Sequence, residues 1–309
     1  MGTHYPLRFS NFLYYLPMSQ TKKCILLNTG MHTRTAFEAG LEGTPMERYH
    51  SKGIILHINE AGVPNFICKN NLIDFTNSFV FMRLRGTDPH FCGMMYTYFA
   101  HHHIPVNDPI NRSHPYSAGK ISQMLLLSLG GIRIPETIIF REESYATNRD
   151  YILSHTTFPL VYKVDGSKGK DVHIAHTIAE LDTLVQNKRP TRLALIQPFI
   201  ENTFDTRTLV AFNEVLGSIK RTRTSGYLNN ISQGAAASPM ELNDTEKVTA
   251  QAATKICGID FGGVDMIHTP LGPIVLEVNK SPQIDGFESV HHFKVFTKIA
   301  ELMRKKFGV

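Results

Sequence analysis

The chain has 309 residues, 42% of them hydrophobic and 19% charged. That balance excludes bulk disorder, and the length allows two or three small lobes with cores of their own. The formal net charge of +5, from 32 Lys and Arg against 27 Asp and Glu, is mild and no Lys/Arg block concentrates it. A phosphate-bearing substrate accounts for it as well as nucleic acid would, so no nucleic-acid partner is read from it. Cys24, Cys68, Cys92 and Cys257 are far apart and form no CxxC pair. This excludes a zinc knuckle or a disulfide framework and fits a reducing cytoplasm.

Residues 1–20 carry an apolar run broken by Arg8, Asn11 and Pro17. The run is too short to span a bilayer and lacks the basic start and small-residue cleavage site of a signal peptide. It reads as an N-terminal extension, and no later segment is a membrane-span candidate. From Lys22 to Asn28, KKCILLN is a buried strand ending in a Thr-Gly loop; GIILHI (Gly53 to Ile58) and FVFMRL (Phe79 to Leu84) read similarly. A helix is expected from Pro89 through His101. The alternation predicts a small parallel α/β lobe over 21–115. The run His101-His102-His103 is read as surface, because consecutive helix positions point in different directions.

From Ser117, SAGKISQMLLLSLGG reads as a helix with a Gly-Gly stop. TIIF and PLVYKV are strands, then come the loop DGSKGKD, the strand VHIA, an amphipathic helix in TIAELDTLVQNK, and the strand LALIQPFI. These define a central lobe, 116–200. DTRTLVAF and VLGSIKRTR form a hairpin about Asn213 and Glu214. A Gly/Ser/Asn-rich loop, a helix from Asp244 to Cys257, two apolar strands and a closing basic helix complete a C-terminal lobe, 201–309.

GGVDMIHTPLGPIVLEVNKSP, Gly262 to Pro282, carries the most chemistry. Its Thr-Pro-Leu-Gly-Pro centre is turn chemistry, so its flanks should pair as an antiparallel hairpin. A turn centred near Leu271 sets Asp265 opposite Glu277, and alternation puts Glu277 and Asn279 on one face. Two carboxylates about 4 Å apart repel by roughly 4 kcal/mol at an effective dielectric of about 20, so the pair calls for a cation. Three oxygen donors suit Mg²⁺ or Mn²⁺; a solvated acidic hairpin face is the alternative. Lys163 in an apolar strand, with Lys120 on the preceding helix, asks for a phosphate partner. The loop Gly166-Ser167-Lys168-Gly169 offers free backbone N–H groups for it. Arg207, Lys220, Arg221 and Arg223 would make a positive platform, although a solvated basic strand fits Lys220 or Arg223 taken singly.

In order, AGKISQMLLLSLGGIRIPET, PLVYKVDGSKGKDV, LALIQPFI, DTRTLV, SIKRTR, YLNNISQGAAAS, GGVDMI and LEVNKSP resemble the ATP-grasp superfamily, in its RimK-like branch of glutamate and amino-acid ligases. The likeness runs from about Pro105 to the end. It implies an α/β ATP-grasp fold with an N-terminal pre-ATP-grasp lobe, a small central lobe and a C-terminal antiparallel-sheet lobe. It implies an ADP-forming carboxylate–amine ligase that uses ATP and two Mg²⁺ (or Mn²⁺) ions and works through an acyl phosphate. By position, Lys120 and Lys163 would meet ATP phosphates or the adenine edge, and Gly166, Ser167, Lys168 and Gly169 would form the phosphate loop. Gln197 and the backbone of Phe199 and Ile200 would lie at the adenine hinge, with Asp205 near the ribose. Arg207 and Arg221 would face substrate or γ-phosphate, Asn230 the reaction centre, and Asp265, Glu277 and Asn279 the metal. Pro198 stands where the hinge commonly has glutamate, and Lys280 and Gln283 where relatives carry small residues. The partners implied are ATP and a carboxylate/amine pair (amino acid, peptide or protein tail), with no membrane and a homo-oligomer left open. A kinase on the same fold, or a non-catalytic ATP-binding regulator of the synapsin type, is the competing reading.

Overall fold

The computed structural model describes residues 23–83, 89–113, 119–164, 172–186, 193–222 and 236–307. The expected extension at 1–20 lies outside them. The chain is a mixed α/β protein of two compact units, one running to Val106 with 296–309 added, the other covering 107–295.

In the first unit β1 (Lys23–Leu27) is followed by α1 (Met31–Gly40) and β2 (Met46–Tyr49). Then come β3 (Ile54–Ile58), β4 (Pro64–Cys68), β5 (Asn71–Leu72), β6 (Ser78–Met82) and α2 (Pro89–His101). β1 is the central strand of a parallel sheet, order β2-β1-β6. That position explains its continuous apolar run, because a parallel strand covered on both faces has no solvent side to make polar. The expectation for GIILHI needs correction. It forms β3 of a separate antiparallel sheet, order β3-β4-β5, with Ile55 and Ile58 exposed.

The second unit holds α3 (Ile110–Ser113), α4 (Lys120–Leu129), β7 (Ile138–Arg141), α5 (Tyr145–Ser154), β8 (Leu160–Val164), β9 (Val172–Ala175), α6 (Ile178–Gln186) and β10 (Leu193–Pro198). It continues with β11 (Phe204–Ala211), β12 (Glu214–Thr222), β13 (Ala236–Pro239), α7 (Asp244–Ile256), β14 (Phe261–Thr269), β15 (Gly272–Asn279) and α8 (Asp285–His291). Two antiparallel sheets result, β7-β10-β8-β9 and β13-β12-β11-β14-β15. α9 (Val295–Phe307) turns the chain back into the first unit, where Phe296 packs on Phe37 and Phe81.

Local signals explain these elements. α4 stops at Gly130-Gly131, where Gly131 takes a φ of +75° and the N–H of Ile132 returns to the Leu127 carbonyl at 2.9 Å. α7 begins with a capping box in which Asn243 and Glu246 satisfy each other's backbone N–H. The β11–β12 turn puts Phe212 and Asn213 at φ +48° and +70°, the left-handed pair that a two-residue hairpin requires. Alternation then sorts side chains into layers. Leu160, Tyr162, Val164, Ala194 and Ile196 face one core with α5 and α6. Leu195 faces another, shared with Met124 and Leu127 of α4, Ala250 and Ala253 of α7, and Val264 and Val278 of the five-stranded sheet.

Candidate functional site

The hairpin β14–β15 turns at Pro270-Leu271, with Thr269 opposite Gly272. Straight pairing from that turn would set Asp265 against Leu276. A bulge at Leu276 advances the register, so Met266 opposes Val275 but Asp265 opposes Glu277 and Gly263 opposes Asn279. The expected pairing is present, through a bulge in β15 in place of a turn centred on Leu271. On the other side of β14, Asp265 is paired with Arg207 of β11, and two residues along, Asp205 is paired with Arg221 of β12. Directly paired residues share a face. Glu277, Asp265 and Arg207 therefore form one row across three strands, and Asp205 and Arg221 form the next.

The contacts in this patch are short and charged. Arg207 holds Asp265 with both arms of its guanidinium, at 2.8 and 2.7 Å. Arg221 donates to Asp205 at 2.6 Å and lies 3.0 Å from Asp265. Asp205, Asp265 and Arg221 are buried. Burial alone would raise the Asp265 pKa, but Arg207 and Arg221 outweigh it and hold the carboxyl well below the usual carboxylate range. Lys120 reaches Glu277 from the start of α4 at 2.7 Å, and the other Glu277 oxygen is 3.9 Å from Arg207. α4 lies against this edge strand because the Gln123 side-chain oxygen accepts the Val278 N–H at 3.4 Å.

The other sheet contributes Lys163, which stands on the same face of β8 as Val161, opposite Leu195. Its Nζ donates to Oε1 of Gln197 at 2.9 Å. Burial pushes the Lys163 pKa down, with Glu277 opposing that shift and Lys120 adding to it. Lys163 therefore feels the charges carried by α4 and β15. The patch gathers four cations, Lys120, Lys163, Arg207 and Arg221, around three carboxylates, Asp205, Asp265 and Glu277. Burying such a network is expensive unless every charge is matched, and ionisable groups packed this way mark sites where charge is handled.

Asn279 stands on the same face, its Oδ1 accepting the Ser281 N–H at 3.0 Å. Two carboxylates and an amide oxygen are hard-oxygen donors of the kind Mg²⁺ takes, with both Asp265 oxygens held by Arg207 in this structure. Glu277 Oε1 lies beyond hydrogen-bonding distance of Arg207, and an amide oxygen has a second lone pair. Among the described residues, no cluster of three or more His, Cys, Asp or Glu is placed to hold a metal. The cations beside the acidic pair are arginines and a lysine.

Other expected residues fall differently. Lys220 belongs to the opposite face, opposite Thr206, with its ammonium 4.2 Å from the centre of the Phe204 ring, so it is not part of the platform. The side chain of Gln197 is turned inward onto Lys163, and the Phe199 N–H is given to the Pro159 carbonyl at 2.9 Å. Ile200 follows the end of β10. Asp205 is occupied by Arg221. Gly166, Ser167, Lys168, Gly169, Arg223 and Asn230 lie outside the described residues. Thr137 receives the Gln197 amide at 2.9 Å, and a lone threonine ahead of a strand gives no signal of this in the sequence. Nor does the sequence single out Asp108, the buried carboxylate whose charge acts on Lys280.

Residues 117–303 match the RimK-like ATP-grasp domain. The chain belongs to the RimK-like ATP-grasp family. It is 34% identical over 182 residues to a probable alpha-L-glutamate ligase of Cellvibrio japonicus, covering 56% of this chain and 58% of that protein. It is 32% identical over 194 residues to one of Syntrophotalea carbinolica, covering 61% and 64%. The chain thus spans less than two thirds of these relatives' lengths. In fold it is similar to the ATP-grasp ligase PsnB complexed with a minimal precursor (TM-score 0.68, 14% identity, 93% of this chain and 99% of that one). It is also similar to the macrocyclase MdnC of Microcystis aeruginosa bound with its precursor peptide MdnA (0.67, 16%, 92% and 99%). A third likeness is to the VanG D-Ala:D-Ser ligase of Enterococcus faecalis (0.64, 17%, 93% and 100%).

Proposed function

We propose that this RimK-like chain is an ATP-dependent ligase that joins a carboxylate to an amine and releases ADP and phosphate. The observation that carries the reading is the row Glu277–Asp265–Arg207, a paired acidic site flanked by Lys120, Lys163 and Arg221. In this reading the segments 116–200 and 201–309 act as two lobes that take ATP between them. Lys120 and Lys163 neutralise its phosphates, and Gln197, Phe199, Ile200 and Asp205 line the nucleoside side. Asp265, Glu277 and Asn279 hold magnesium, with two ions expected, and the metal supplies charge neutralisation at the phosphoryl group being transferred. Gly166 to Gly169 and Asn230 keep the loop roles that the family pattern gives them.

The substrate carboxylate attacks the γ-phosphorus, the bond to the β–γ bridging oxygen breaks, and ADP leaves. Arg207 and Arg221 stabilise charge on the resulting acyl phosphate. The amine then attacks the acyl carbon, phosphate departs with the bonding pair, and the amine's proton is lost to solvent. No side-chain nucleophile is needed. Relatives named as glutamate ligases and neighbours solved with precursor peptides favour an amino acid or peptide as one substrate. Lys280 and Gln283, close after the metal residues, suit an acceptor other than free glutamate. Four cysteines without a disulfide favour a cytoplasmic setting. Among the described residues no helix is long and apolar enough to cross a membrane.

The test is nucleotide release by the purified protein against panels of carboxylates and amines. ADP and phosphate that require both partners are expected. AMP and pyrophosphate, or ADP formed without regard to any amine, would contradict the ligase reading.

A further inference from the structure

The polar contacts behind Lys163 form a directed chain. The Thr137 hydroxyl donates its single proton to the Pro135 carbonyl at 2.7 Å. Its oxygen is thereby left as an acceptor, and it takes one N–H of the Gln197 amide at 2.9 Å. The same amide nitrogen is 3.6 Å from the Met124 sulfur, so both of its hydrogens have acceptors. Gln197 Oε1 is then turned to Lys163, whose ammonium donates to it at 2.9 Å. Each end of the chain demands the same amide orientation. Thr137 offers only an acceptor, and Lys163, with donors alone, accepts no N–H. A flipped amide would set N–H against ammonium at one end and leave the Thr137 oxygen facing another oxygen.

From this geometry we infer that Thr137 is a positioning residue for nucleotide binding, acting on the ammonium of Lys163 through the fixed amide of Gln197. The inference rests on the ligase reading, in which Lys163 meets the phosphates of ATP. Gln197 is 3% exposed, and its amide is set by these contacts before any nucleotide arrives. A lysine ammonium on a four-carbon stem has many rotamers, and holding it in one before ATP binds removes part of the ordering cost of binding. Thr137 lies just before β7 and Lys163 on β8, joined only through β10 between them, so the relay crosses the sheet.

The experiment is a double-mutant cycle on the Kd for Mg·ATP, measured by calorimetry on the full chain. Thr137→Val removes the hydroxyl at nearly constant shape and is expected to weaken ATP about tenfold, the loss that accompanies disordering one hydrogen bond to a charged group. Thr137→Ser keeps the relay and should stay within about twofold of the parent, a span set by the additivity error of such cycles. In a Lys163→Met background, Thr137→Val should cost nothing more, because the group it positions is gone. A general structural role predicts the opposite, an equal penalty in both backgrounds, and that result would overturn the inference. Unchanged affinity in Thr137→Val would overturn it too. If that variant does not fold, Thr137→Ala, which also removes the hydroxyl, takes its place in the same cycle with the same two outcomes. A parent protein that binds no Mg·ATP would contradict the ligase reading itself; tight parental binding with an unaffected variant contradicts the relay alone.

Discussion

Glu277 is the residue on which the two halves of the charged patch meet. It pairs with Lys120 through one oxygen, while the other is 3.9 Å from Arg207. Glu277→Gln keeps the shape and removes the charge. Turnover is expected to fall by about 100-fold or more, the scale of losing one preorganised electrostatic contact at a reacting phosphoryl group. Near-parental secondary structure by circular dichroism should accompany that loss, since Glu277 lies on an edge strand and is only partly buried. Full activity in this variant would sink the metal assignment. The site's charges were legible in the sequence because they break local rules. Lys163 interrupts an apolar strand, and Asp265 and Glu277 sit between apolar neighbours, Val264 and Met266 on one strand and Leu276 and Val278 on the other. Arg207 and Arg221 were legible as a positive platform but not as ion-pair partners of Asp265, which they reach across strands whose order only the fold sets.

At the scale of elements, the bulge at Leu276 and the glycine pair that opens β14 decide what the sheet face presents. Gly263 lies opposite Asn279, and a Cβ there would come within 3.0 Å of Pro282 Cβ and 3.5 Å of Arg207 Cδ. Gly263→Ala should therefore crowd a rigid proline while only touching the Arg207 stem, costing about 1–3 kcal/mol in a urea melt. Stability equal to the parent's would show that the Pro282 turn yields freely. The start of β14 is tied to the loop before α3 by Asp108. Its Oδ1 accepts the N–H groups of Asp260 and Phe261 at 2.9 and 3.3 Å. Burial, then the charge of Asp260, pushes the Asp108 pKa up to about 7, against hydrogen bonds and Lys280 that pull it down. The folded protein thus keeps a proton that the unfolded chain releases near pH 3.9, so this group's contribution to stability falls as pH rises from about 4 to about 7. Between pH 5 and pH 8 the melting temperature of the parent should drop more than that of Asp108→Asn. Parallel drops would refute the assignment. Element types followed from periodicity and turn residues, as in α7 and the β11–β12 hairpin, whose turn falls at Phe212-Asn213, one residue ahead of the expected Asn213-Glu214. The bulge escaped the sequence because an extra residue leaves no compositional trace, and β3 was misplaced because a short apolar run does not reveal its pairing partner.

For the molecule as a whole, family membership and fold rest on the match over 117–303, while the two sheets of the second unit supply complementary charge. One contributes Lys163, the other the acidic pair and its arginines. The expected parallel lobe near the N-terminus was legible only in part, since β1 and β6 form it with β2 while β3 to β5 make a sheet of their own. In the ligase proposal, amide formation passes through an acyl phosphate. With the carboxylate–amine pair that supports ADP release, labelling both carboxyl oxygens with ¹⁸O gives the direct answer by mass spectrometry of the phosphate produced. Attack on the γ-phosphorus followed by displacement at the acyl carbon predicts one ¹⁸O in every phosphate released. Phosphate free of label, with the amide still formed, would contradict it.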